Sequence, residues 1–145
     1  VKSINKLLPF RITQTPRVSV IIPCFQAEVT LRRAVTSLVD QKWRKDDLEI
    51  ILSVDDGRDY GWVARLWPNI TICKSLSRGT GPGPTRNRGI FAASGQYLAF
   101  LDADDAWSGG YLNALMPIVS RYGLAFGMTE VRSSKNDQVL VLGAG

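Results

Sequence analysis

Apolar and polar positions fall in blocks along this chain, and their period switches between that of a strand and that of a helix. VSVIIP, at residues 18–23, is a β-branched run closed by proline and predicts a buried strand. Over residues 28–41, Leu31, Val35, Leu38 and Val39 stand at i, i+4, i+7 and i+8, the spacing of one helix face. LEIILSV at 48–54 predicts a second buried strand, closed by Asp55-Asp56-Gly57. A short helix is expected over 60–66 and a short strand over 70–73. Residues 74–83 are rich in Gly, Ser and Pro and read as loop. Pro84 suits the first turn of a helix that runs to residue 93. A fourth strand is expected at 97–101, then a helix at 111–121 with Leu112, Leu115, Ile118 and Val119 on one face. A strand near 124–131 and a further segment at 138–142 complete the pattern.

Strands alternating with helices predict an α/β fold: a mostly parallel sheet with helices on both faces, in a Rossmann-like three-layer arrangement. Ligands of open α/β sheets sit beyond the carboxyl ends of the strands. Three polar clusters fall at such ends: Pro23-Cys24-Phe25-Gln26, Asp55-Asp56-Gly57 and Asp102-Ala103-Asp104-Asp105. Their coincidence carries more weight than any one of them.

Composition narrows the chemistry. The 145 residues contain no histidine, which removes the commonest general base and most zinc sites. Proton transfer or metal binding must therefore use carboxylates. Two cysteines, Cys24 and Cys73, make no disulfide framework and fit a reducing, cytoplasmic setting. The net charge of +5 attracts anions, but the basic residues are dispersed. No run of like charges suggests a nucleic-acid tail, so nucleic acid is not an expected partner. Residues 1–17 read as a basic extension ahead of a domain at 18–145, and they suit peripheral contact with an anionic membrane surface. The missing initiator Met fits a start inside a longer polypeptide.

Each cluster has a plain and a functional reading. LDADDAW, residues 101–107, crowds three carboxylates into four positions. A solvated turn tolerates that cheaply; Mg2+ or Mn2+ rewards it, because these ions take oxygen ligands at about 2.1 Å from one or two carboxylates plus water and phosphate. The position after a buried strand favours the metal. Asp55-Asp56-Gly57 is either a turn, since Asp-Gly is a strong turn dipeptide, or a carboxylate site for a base or ribose. Both readings stay open on this segment. GTGPGPTRNRG at 79–89 is a weak dinucleotide fingerprint but a good loop feeding a helix N-terminus, which attracts anions. Arg86 is placed to reach a phosphate there. Arg88 reads as a solvated or salt-bridged surface residue, so its replacement is not expected to alter binding.

These segments resemble family 2 glycosyltransferases, specifically their nucleotide-sugar-binding half with its GT-A fold. VSVIIPCFQAEVTLRRAVTSLVDQ is similar to the family's opening strand and helix, EIILSVDDG to its second strand, and GPGPTRNRGIFAASGQYLAFLDADDAW to the helix leading into its metal-binding strand. The resemblance implies transfer of a sugar, with inversion, from a nucleotide-diphosphate donor to an acceptor that it does not identify, as in polysaccharide or glycoconjugate synthesis. It also implies Mg2+ or Mn2+. By the same resemblance Pro23 and Phe25 line the base pocket, Asp56 contacts the base with Asp55 beside it, and Arg86 faces the diphosphate. Asp104 meets ribose or metal, Asp105 is the metal ligand, Asp102 supports the turn and Trp107 walls the site.

The chain departs from the family in having Phe25-Gln26 for Tyr-Asn and Arg58-Asp59 after the glycine. The resemblance also places an acceptor half, with its catalytic base, beyond residue 145. After Asp105 the acidic residues are Glu130 and Asp137; Glu130 is a weak candidate for the base, with a structural or solvated role the simpler one. The alternative function is a nucleotide-sugar-binding module without turnover. A phosphotransfer receiver or phosphatase would need its acidic cluster at the first strand, where Pro23-Cys24-Phe25 stands instead. A location at the inner face of a membrane is compatible with the basic extension.

Overall fold

The computed structural model describes residues 17–132 and 139–142. The chain runs β1 (Val18–Cys24), α1 (Leu31–Val39), β2 (Leu48–Val54), α2 (Gly61–Leu66), β3 (Ile70–Lys74), α3 (Pro82–Ala92), β4 (Tyr97–Phe100), α4 (Tyr111–Tyr122), β5 (Thr129–Arg132) and β6 (Val139–Leu142). Four strands form a parallel sheet in the order β3-β2-β1-β4, while β5 and β6 form a separate antiparallel pair.

Central β1 explains the continuous apolar run at 18–22: it is covered on both faces. Val18, Val20, Ile22 and Cys24 join Ile50, Leu52 and Val54 of β2 under Leu31, Ala34, Val35 and Leu38 of α1. Leu112 and Met116 of α4 close the same core. The alternate residues, Ser19 and Ile21 of β1 with Ser53 of β2, face α3. There Ser53 Oγ donates to the Thr85 carbonyl at 2.7 Å. Pro23 is accommodated because β1 pairs with β4 only as far as Ile21.

Element boundaries moved at several points. The first helix begins at Leu31 rather than 28, because residues 27–30 form the turn that supplies its first carbonyl: Leu31 N–H donates to Ala27 at 2.9 Å. The third helix begins two residues early, on Pro82. The strand expected near 124–131 is confined to 129–132, where β6 offers a partner; Leu124 and Phe126 stay exposed. The basic extension, apart from Arg17, lies outside the described residues, as do Asp137 and Gln138. Among the described residues no helix is long and apolar enough to cross a membrane.

Gly89 sets the distance between α3 and the sheet. A Cβ there would lie 2.4 Å from Cγ2 of Ile21, a residue with no exposed surface. Gly89→Ala gains about 1 kcal/mol of helix propensity, but overpacking a full core costs about 1–3 kcal/mol. The variant should therefore show a lower midpoint in urea unfolding with an unchanged m-value, and a raised midpoint would contradict the close approach.

Candidate donor site

The chain order takes β2 and β3 to one side of β1 and β4 to the other, so a crevice opens where the order reverses. A cavity of about 620 Å³ lies there. Pro23, Phe25 and Gln26 line it from the end of β1, Asp55 from β2, and Asp102 and Asp104 from the turn after β4. Gly79, Gly81 and Arg86 complete it from the loop and first turns of α3. Three of the polar clusters expected from sequence therefore meet in one space, together with the α3 N-terminus.

The paired aspartates separate by strand parity, since consecutive side chains point to opposite faces. Asp55 turns to the α3 side. It accepts from Thr80 Oγ1 at 2.5 Å, Gly81 N–H at 3.0 Å and Arg88 Nη2 at 3.2 Å. Asp56 turns to the α1 side, accepting from Gln26 N–H at 2.6 Å, Arg58 N–H at 2.9 Å and Tyr60 Oη at 2.8 Å. Buried Tyr60 in turn accepts from Ala27 N–H at 3.0 Å, fixing the segment after β1. Asp55 lines the cavity, whereas the Asp56 carboxylate is occupied in supporting Gln26, at φ 52°, and Arg58. Gly57, at φ 71°, closes the turn beneath the Arg78 side chain.

The crowded carboxylates after β4 also diverge. Asp102 pairs with Arg86 Nη2 at 2.5 Å. Asp104 is exposed toward the cavity, and Arg33 of α1 donates to its main-chain carbonyl. Asp105 N–H closes the turn on the Asp102 carbonyl at 3.0 Å, and its side chain is exposed beside the cavity lining rather than in it. Partial burial pushes the Asp105 carboxyl up, the charges of Asp104 and Asp102 add to this, and Arg33 only partly opposes it. An added divalent cation would relieve that repulsion. Among the described residues no three acidic, Cys or His groups form a closed cage. An ion that takes one or two carboxylates and completes its shell with water and phosphate needs none. Asp104 and Asp105 thus fit such an ion.

Several expectations need adjustment. Trp107 is absent from the cavity lining; its ring stacks on Tyr111 with centroids 4.7 Å apart, and its main-chain N–H donates to Ser37 Oγ at 3.1 Å. Glu130 sits on β5 opposite Val141, also outside the lining. Of the two readings for Arg88, solvated or salt-bridged, the structure shows the ion pair: its side chain is 21% exposed and meets the nearly buried Asp55. Sequence reasoning also missed Gln41. Its Nε2 donates to Ser108 O at 2.9 Å and its Oε1 accepts from Leu112 N–H at 3.2 Å, capping α4 and holding the segment after the acidic turn. A glutamine just past a helix end gives no local signal of that role. Cys24 lines the cavity, but burial pushes its thiol up to about 12, so it is no nucleophile at neutral pH.

Comparison with known proteins agrees with this geometry. The family model for glycosyl transferase family 2 matches residues 19–140. The GalNAc(5)-diNAcBac-PP-undecaprenol beta-1,3-glucosyltransferase of Campylobacter jejuni is 33% identical over 127 residues, 83% of this chain and 40% of that protein. The Escherichia coli UDP-Glc:alpha-D-GlcNAc-diphosphoundecaprenol beta-1,3-glucosyltransferase WfaP is 32% identical over 92 residues, 62% of this chain and 36% of that protein. The S. aureus TarS 1–349 structure, solved in complex with UDP-GlcNAc, superposes with a TM-score of 0.66 at 22% identity, covering 74% of this chain and 32% of that one. The mannosyltransferase PcManGT of Pyrobaculum calidifontis, in complex with GDP-Man and Mn2+, gives 0.59 at 23% identity, covering 65% and 29%. The chain belongs to glycosyl transferase family 2, with the GT-A-like sheet of that family. It spans about two fifths of the length of the Campylobacter relative.

Acid sensitivity follows from the paired aspartates. Burial raises Asp55 and Asp56, but their hydrogen bonds and the charges of Arg88 and Arg58 more than offset it, so both carboxyls lie below the ordinary value. The unfolded chain therefore takes up protons first. Their stabilisation is complete above the unfolded value of about 3.9 and is lost as pH falls through the lower native values. Thermal melts from about pH 6 down to 3 should show Tm dropping at the acid end, with a shallower drop in Asp55→Asn.

Proposed function

We propose that this chain is the donor-binding part of a metal-dependent, inverting glycosyltransferase that uses a nucleotide-diphosphate sugar. The observation that carries the reading is the meeting of Arg86, the α3 N-terminus and the acidic turn at Asp102 and Asp104 around one cavity at the sheet's carboxyl edge. Helix N-termini and arginine guanidinium groups both favour phosphate oxygens. In this reading Pro23 and Phe25 flank the base, and Asp55 and Asp56 shape its pocket from the two sides of β2. Arg86 shifts from Asp102 to share the diphosphate. Asp104 and Asp105 would hold Mg2+ or Mn2+, which would neutralise charge on the leaving diphosphate.

Transfer requires a group that accepts the acceptor hydroxyl's proton. Among the cavity carboxylates, Asp55 is saturated with hydrogen bonds, Asp102 is paired with Arg86, and Asp104 is assigned to metal. The proton acceptor is therefore sought outside this lining, where Glu130 is a weak candidate. The undecaprenol-diphosphate acceptors named for relatives suggest a lipid-linked acceptor here and work at a membrane face.

Calorimetric titration of UDP and of GDP, each with and without Mn2+, tests the donor site. Binding of at least one nucleotide should require the metal. Asp105→Asn should weaken that binding about 10- to 100-fold, the usual cost of disturbing a metal's ligand shell, and leave Tm little changed. Absent binding, or binding indifferent to Mn2+, would overturn the proposal.

A further inference from the structure

The wall of the cavity at residues 79–81 is held in an unusual way. Gly79 and Gly81 take φ of 67° and 94°, and a Cβ on either would meet nothing within 4 Å. Packing at these positions does not fix the wall. Its polar anchors converge on one residue instead. Gly79 N–H donates to the Asp55 carbonyl at 2.8 Å, while Thr80 Oγ1 and Gly81 N–H donate to the Asp55 carboxylate at 2.5 and 3.0 Å. That side chain is 3% exposed, and a cation meets it in this buried position.

Arg88 is that cation. Residues two apart on a helix differ by about 200°, so Arg86 and Arg88 leave α3 in different directions. Arg86 goes to Asp102 and the cavity. Arg88 goes to β2, with Nη2 3.2 Å from Asp55 Oδ1 and 3.4 Å from Thr80 Oγ1, and Nη1 3.4 Å from Ser53 Oγ. Ser53 in turn donates to Thr85 O, and Thr85 donates its hydroxyl to Gly81 O at 2.6 Å. The network therefore closes on itself around β2, the wall and the start of α3.

We propose that Arg88 is a positioning residue: by holding the Asp55 carboxylate in place, it fixes the 79–81 wall against which the nucleotide binds. Its effect on nucleotide rests on the donor-site reading above; its effect on the wall does not. Loss of the guanidinium removes the cation and the donor that tie the buried carboxylate to α3, freeing it to swing and release the Thr80 and Gly81 anchors.

Amide exchange by NMR on wild type, Arg88→Ala, Arg88→Lys and the exposed control Arg44→Ala separates the two. In Arg88→Ala the Gly79 and Gly81 amides should exchange at least about tenfold faster, while β1 amides at Val20 and Ile22 hold their protection. Arg88→Lys should recover part of it, and Arg44→Ala should match wild type. Unchanged Gly79 and Gly81 amides would overturn the proposal, and so would equal loosening of β1, which marks a merely global role. In the second arm, Arg88→Ala should weaken Mn2+-dependent UDP or GDP binding about 10- to 100-fold, the range for lost hydrogen bonds to a charged group. If wild type binds neither nucleotide, the donor reading falls and amide exchange alone decides the role of Arg88. Wild-type affinity in Arg88→Ala would overturn the link to the nucleotide.

Discussion

Consecutive side chains on a strand point to opposite faces, and at the end of β2 this puts Asp55 and Asp56 on different sides of a sheet buried on both. Each carboxylate then organises its own side. Asp55 gathers the loop before α3, and Asp56 gathers the segment after β1 through Gln26, Arg58 and Tyr60. The cavity between those segments keeps its shape because two neighbouring charges are prevented from facing each other. A slip of one residue in the pairing of β2 with β1 would exchange the two faces and dismantle both walls.

The acidic turn after β4 solves the opposite problem, since its carboxylates share a short turn and cannot all be separated by parity. Cations from two helices divide them: Arg86 of α3 takes the Asp102 carboxylate, and Arg33 of α1 binds the Asp104 carbonyl. What remains is negative potential at Asp104 and Asp105 at the cavity edge. This local excess suits a hard cation, and it exists because α1 and α3 pack on opposite faces of β1.

Much of this was legible in the chain. The apolar runs of β1 and β2 and the spacing of Leu31, Val35 and Leu38 announced a parallel sheet with packed helices, and the clusters at strand ends announced the site. Less legible were partners that depend on a long-range approach. The partner of Arg88 was hidden because nothing near it in sequence is acidic, and Asp55 reaches it only where α3 packs on the sheet. Tyr60 and Gln41 were silent for the same reason: Tyr60 ties down distant Ala27, and Gln41 bonds to Ser108 and Leu112. The strand expected from 124 onward was misjudged because apolar residues there have no neighbouring strand until β6 meets 129–132.

By itself, then, the sequence determined the order and type of the main elements, the crowding of charge at three strand ends and the family resemblance. These are local properties of period, composition and spacing. Tertiary structure alone decided which carboxylate faces the cavity, which is tied down as scaffold, and which arginine serves which aspartate. Those outcomes depend on strand register and on helix rotation over the sheet, quantities set by packing among residues 16 to 71 positions apart.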